Sequence, residues 1–96
     1  MAHQEFSLQA DGNIQLFGQS WLPETAPKAI VLQVHGLGEH SSRYAHVAKF
    51  LNAHGYAFYG YDHHGHGKTG GTRGHVPSYE FLMREIDLML EKIRKD

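Results

Sequence analysis

The sequence has 96 residues, 41% hydrophobic and 20% charged, with a formal net charge of −1 and no cysteine. Near-neutrality removes any electrostatic ground for nucleic acid or an anionic membrane surface as partner, and the missing thiols exclude a disulfide framework and thiolate metal sites. No apolar run approaches the roughly 20 residues that span a bilayer, and residues 1–10 lack the basic and apolar regions of a signal peptide, so no transmembrane segment and a cytoplasmic location are expected.

In chain order, Phe6, Leu8 and Ala10 alternate with polar residues, Asp11-Gly12 offers a tight turn, and Ile14 and Leu16 resume the alternation to about Leu22. This pattern predicts a β-hairpin, because Asp-Gly accepts the positive φ angles of short hairpin turns. Pro23 and Pro27 mark a loop. Ala29-Ile30-Val31-Leu32-Gln33-Val34 is a nearly continuous apolar run, which suits a strand covered on both faces of a parallel sheet. A glycine-containing loop over 35–42 leads to a predicted helix around 43–54, with Val47, Phe50 and Leu51 as its apolar stripe and Gly55 as its C-terminal cap.

Residues 56–61 predict a second buried strand, followed by a glycine- and histidine-rich loop from Asp62 to Pro77. Ser78 is placed to cap a last helix of about sixteen residues, with Leu82, Ile86, Met89, Leu90 and Ile93 on one face. The order hairpin, then β-α-β-α, predicts an α/β fold. The last helix is not followed by a strand, and two long apolar strands make too small a sheet to cover both helices. Residues 1–96 are therefore read as an incomplete part of one domain.

Histidine and glycine, nine and eleven residues, concentrate between His35 and His75, where the chemistry is expected. His35-Gly36-Leu37-Gly38-Glu39-His40 lies where a strand gives way to a helix. Amides exposed in such a loop can hold developing negative charge on oxygen, one donor being worth on the order of 10²–10³ in rate. With its flanks, the segment from Val34 to Tyr44 resembles the HG-x-GEH-S-x-RY signature of the monoacylglycerol lipase and lysophospholipase branch of the α/β-hydrolases. The resemblance implies that Leu37 gives its backbone N–H to the oxyanion hole. It further implies that Gly36 and Gly38 shape the loop, and that His35, Glu39, His40 and Arg43 brace it.

The second loop admits three readings. Gly65, Gly67 and Gly70 fit G-x-G-x-x-G, but Gly71, Gly74 and Pro77 delay the helix that a nucleotide phosphate needs. His63, His64, His66 and His75 are possible metal ligands, yet they lack the i, i+4 pairing of helical sites, and no metal or other cofactor is expected. In the third reading, Asp62-x-x-Gly65-His66-Gly67-x-Thr69-x-Gly71-x-Arg73-Gly74 is similar to the D-x-x-GHG-x-S-x-G-x-RG stretch of the same lipase branch, with Thr69 in the usual serine position. The resemblance implies that Asp62, Gly65, His66 and Gly67 pack this loop beside the first.

A serine hydrolase of this fold carries its nucleophile in G-x-S-x-G, with the acid and histidine later in the chain. Ser7, Ser20, Ser41, Ser42 and Ser78 are the only serines, and none lies in that motif. The nearest approach, Gly18-Gln19-Ser20-Trp21-Leu22, lacks the second glycine. The expectation is the N-terminal portion of an α/β-hydrolase sheet. It supplies one oxyanion amide and no triad residue, is inactive alone, and in the complete enzyme serves a lipid ester substrate, with possible peripheral membrane contact. The resemblance also places the 29–34 strand between the 56–61 strand and one absent here, leaving an open edge suited to self-association.

Overall fold

The computed structural model describes residues 2–10, 14–35, 44–63, 65–71, 73 and 79–95. Strand β1 (Ala2–Ala10) pairs antiparallel with β2 (Ile14–Leu22), from Ala2 opposite Leu22 to Ala10 opposite Ile14. This is the expected hairpin, extended toward the N-terminus because β2 offers backbone partners along its whole length; the Asp11-Gly12 turn lies outside the described residues. The Phe6 ring covers Gly18 across the hairpin, in the space a Cβ there would need.

Strand β3 (Ile30–Val34) precedes helix α1 (Ala45–Ala53), strand β4 (Ala57–Tyr61) and helix α2 (Tyr79–Lys95). The sheet order is β1-β2-β4-β3, with β2 antiparallel and β3 parallel to β4. Sandwiched between two neighbours, β4 is buried along its length. β3 packs Leu32 toward the α2 face and Val31 toward the α1 face, as expected of a strand covered on both faces; it is also the expected open edge of the described sheet, and its end residues Ile30 and Val34 are 47% and 42% exposed.

Strand alternation divides the core. Ala57, Tyr59 and Tyr61 point to one face with Leu16 and Leu32, where Met89, Ile86 and Ile93 of α2 cover them. Phe58 points to the other with Trp21 and Val31, beneath Ala48, Val47 and Leu51 of α1. Each fully buried large apolar side chain contributes roughly 1.5–3 kcal/mol.

Two stripe residues depart from expectation. Phe50 is 63% exposed and lies against the His54 ring at a tilt, because Val47, Ala48 and Leu51 define the buried stripe and Phe50 lies to its flank at about 100° per residue. Leu90 is likewise exposed, flanking the line of Ile86, Met89 and Ile93. The capping expectation at Gly55 holds. Its φ is 87°, its N–H donates to Asn52 O at 3.1 Å, and Tyr56 N–H donates to Leu51 O at 3.0 Å, the paired bonds of a Schellman motif. Asn52 then ties this end to the sheet, its amide donating to the carbonyls of Trp21 and Tyr56.

Candidate active-site floor

The parallel register builds the site. β3 and β4 run in step from Ile30 opposite Ala57 to Val34 opposite Tyr61, so the chain leaves the sheet at His35 and at Asp62 side by side. The carboxyl ends of parallel strands are where open α/β sheets bind ligands. The backbone N–H of His63 donates to Nε2 of His35 at 2.9 Å, and Nε2 of His63 donates to the His35 carbonyl at 2.8 Å. One residue thus holds both the ring and the peptide of the other. Both are buried, as are Asp62, His66, Thr69 and Glu85.

The tautomers follow. To accept from an amide, His35 Nε2 must be bare, so a neutral His35 carries its hydrogen on Nδ1. To donate to a carbonyl, His63 Nε2 must carry hydrogen. Its Nδ1 then faces the Glu85 carboxylate at 3.5 Å, a contact in which Nδ1 makes no hydrogen bond. Tyr61 stands edge-on to the His63 ring with its hydroxyl buried and unpartnered. Burial, and secondarily the charge of Glu85, push that phenol well above its ordinary range.

The second loop closes on itself. Gly65 N–H donates to Gly70 O, His66 N–H to His63 O, Thr69 N–H to His66 O and Lys68 N–H to the Asp62 carboxylate, all at 2.9–3.0 Å. Gly65 and Gly67 turn the chain with φ of 74° and 50°, a region that disfavours any side chain with a Cβ. Arg73 spans the coil, donating from Nε to Gly65 O, Nη1 to Gly67 O and Nη2 to Thr69 O at 3.0–3.1 Å. Thr69 Oγ1 accepts from Phe17 N–H and donates to Asp62 O, pinning the loop to β2.

This geometry disfavours nucleotide binding: the amides of Gly65, His66, Lys68 and Thr69 are engaged inside the loop, and α2 begins only at Tyr79. The His35, His63 and His66 rings cluster with centroids 4.1–6.2 Å apart, but no group of three or more histidine or acidic side chains among the described residues is arranged to hold a metal ion. His64 and His75 lie outside the described residues, as do Gly36, Leu37, Gly38, Glu39, His40, Arg43 and the helix cap Ser78. Of the expected loop-shaping residues, the structure therefore describes His35, Asp62, Gly65, His66 and Gly67, and brings them together.

Sequence reasoning missed Glu85 and the central place of His63. A carboxylate between Leu82 and Met89 on an otherwise apolar stripe was the available signal. A broad surface concavity of about 740 Å³, touching Pro23, Lys28, Lys49 and Gly55, shares no residue with these loops.

An antiparallel hairpin, a parallel β-α-β unit with glycine loops at its carboxyl edge, and one helix on each sheet face constitute the N-terminal part of an α/β-hydrolase. The chain belongs to the serine aminopeptidase (S33) family, whose family model matches residues 25–96. It is 40% identical over 72 residues to a monoacylglycerol lipase of Mycolicibacterium smegmatis, covering 75% of this chain and 26% of that protein. It is 35% identical over 89 residues to the monoglyceride lipase of Homo sapiens, covering 93% and 29%. Among solved structures, a lipase in its open form superposes with a TM-score of 0.81 at 30% identity, covering 95% of this chain and 31% of that one. The chain thus spans between a quarter and a third of the length of these relatives.

Proposed function

We propose that this chain is the N-terminal segment of a serine carboxylic-ester hydrolase acting on monoacylglycerol or lysophospholipid-like esters. In this reading the Leu37 N–H is one oxyanion donor, and the nucleophile, acid and histidine come from sequence beyond residue 96. The observation that carries it is the double hydrogen bond between His35 and His63, which joins the loop beginning at residue 35 to the 62–71 loop at the carboxyl edge of the sheet. That is where an ester carbonyl would have to be received. The lipid substrate class is supported by the names of the relatives. No helix among the described residues is long and apolar enough to cross a membrane, and a cytoplasmic location belongs to the same reading.

The competing reading is a non-catalytic module that pairs with another chain, favoured by the exposed Ile30 and Val34 on the β3 edge. The natural full-length protein separates the two. Labelling by a fluorophosphonate probe, with release of fatty acid from a monoacylglycerol, supports the hydrolase. An unlabelled protein that migrates as a dimer or in complex, and dissociates on Val34→Lys, supports the module.

A further inference from the structure

We propose that His63, backed by Glu85, is a positioning residue that fixes the peptide at which the 36–43 segment leaves the sheet. The inference deepens the reading of Leu37 as an oxyanion donor and rests on it. His35 is the last described residue before that segment, and its carbonyl orientation sets the plane of the 35–36 peptide. That carbonyl is held by the His63 ring, and the His35 ring by the His63 main chain.

The groups facing the His63 ring come from every neighbouring element: His35 from the end of β3, Tyr61 from β4, His66 from the loop and Glu85 from α2. Only Glu85 among them supplies a carboxylate, and it stands opposite Nδ1, the one ring nitrogen without a hydrogen bond. The ring is thus held between two groups, its Nε2–H on the His35 carbonyl and its Nδ1 edge against the Glu85 carboxylate. Glu85 thus acts on the His35 peptide through His63, from helix α2 on one face of the sheet. Such a chain of held groups matters because a displacement of about 1 Å at a reacting centre costs on the order of 10² in rate.

The test uses the full-length protein, a water-soluble p-nitrophenyl ester, and variants that separate reach from charge. A glutamine amide nitrogen reaches the position of Nε2, whereas an asparagine reaches only that of Nδ1. The expected result is that His63→Asn lowers kcat on the order of 10- to 100-fold with KM little changed, that His63→Gln restores most of the loss, and that Glu85→Gln lowers kcat roughly tenfold. Wild-type kcat in folded His63→Asn overturns the inference, as does an equal loss in the asparagine and glutamine variants that tracks melting temperature. Should His63→Asn fail to fold, the near-isosteric Glu85→Gln decides by the same readout, an unchanged kcat overturning the proposal. A wild-type protein that neither hydrolyses the ester nor labels with fluorophosphonate overturns the hydrolase reading and this inference together. An active wild type with unaffected variants overturns the inference alone.

Discussion

The Thr69 hydroxyl donates to the Asp62 carbonyl at 2.6 Å while accepting from the Phe17 amide at 2.9 Å, so a side chain is inserted where the β2–β4 ladder begins to open. The neighbouring bond, Asp62 N–H to Phe17 O, is still direct at 2.9 Å. Within the coil that carries the glycines, Thr69 thus fastens the loop to β2 through one hydroxyl, fully buried.

Thr69→Val keeps the shape and removes both bonds, taking the Thr69 hydroxyl away from the part-buried Phe17 N–H and from the Asp62 C=O. At about 1–3 kcal/mol for each orphaned group, the variant should lose roughly 2 kcal/mol or more, measured by urea unfolding of the full-length protein. Thr69→Ser, which places the lipase branch's usual residue there, should cost far less. Equal losses in the two variants would mean that the methyl group, and not the hydroxyl, fastens the loop.

Arg73 offers a test of geometry against charge. Its planar guanidinium meets three carbonyls of the 65–69 coil at once, an arrangement that the point charge of lysine cannot reproduce. Arg73→Lys should therefore behave nearly like Arg73→Ala, each losing about 1–2 kcal/mol and each opening the 62–71 loop to limited proteolysis. A lysine variant as resistant as the wild type would show that charge alone suffices.

The sequence disclosed elements more readily than their environments, for a physical reason. Hairpin alternation, the apolar runs and Gly55 are local signals, and each became the expected element. The exposure of the β3 end residues Ile30 and Val34 was not legible, because composition reports what a strand is able to bury, not which neighbours each position has. Phe50 and Leu90 were assigned inward because three- and four-residue spacing admits flank positions that only packing resolves. At the site, the resemblance marked His35 and Asp62, Gly65, His66 and Gly67 as parts of adjacent loops, and the register explains why. Glu85 stood out only as a carboxylate on an apolar stripe; its pairing with His63 was not legible, because the two are 22 residues apart on different elements and neither residue type announces the other.

Tyr61 gives a pH test whose sign follows from its environment. Its hydroxyl is buried without a partner, and burial together with Glu85 raises its ionisation above the value of 10.0 normal for an exposed phenol. The unfolded chain ionises near pH 10 while the folded one stays neutral. The contribution of this group to stability is thus fully present below pH 10 and lost as pH rises beyond it, by up to about 1.4 kcal/mol per pH unit. Tyr61→Phe removes the orphaned hydroxyl and the titration, so it should match or exceed the wild type in stability at pH 8 and gain on it at pH 10.5 in urea unfolding. A phenylalanine variant less stable at both pH values would mean that the hydroxyl has a partner in solution.

Leu37 supplies the decisive contrast for the oxyanion reading, because the proposed contribution is a backbone N–H and not a side chain. Leu37→Ala preserves the amide, whereas Leu37→Pro removes it. In the full-length protein the alanine variant should keep kcat within a few-fold. The proline variant should lose on the order of 10²–10³, the usual worth of one oxyanion donor. Fluorophosphonate labelling should slow in parallel, since phosphonylation passes through a similarly charged oxygen. Proline also constrains φ, so the comparison requires equal melting temperatures and an unchanged KM. If alanine and proline instead reduce activity equally, the leucine side chain matters and the amide does not, and the oxyanion donor must then be sought at another position of the 36–43 segment.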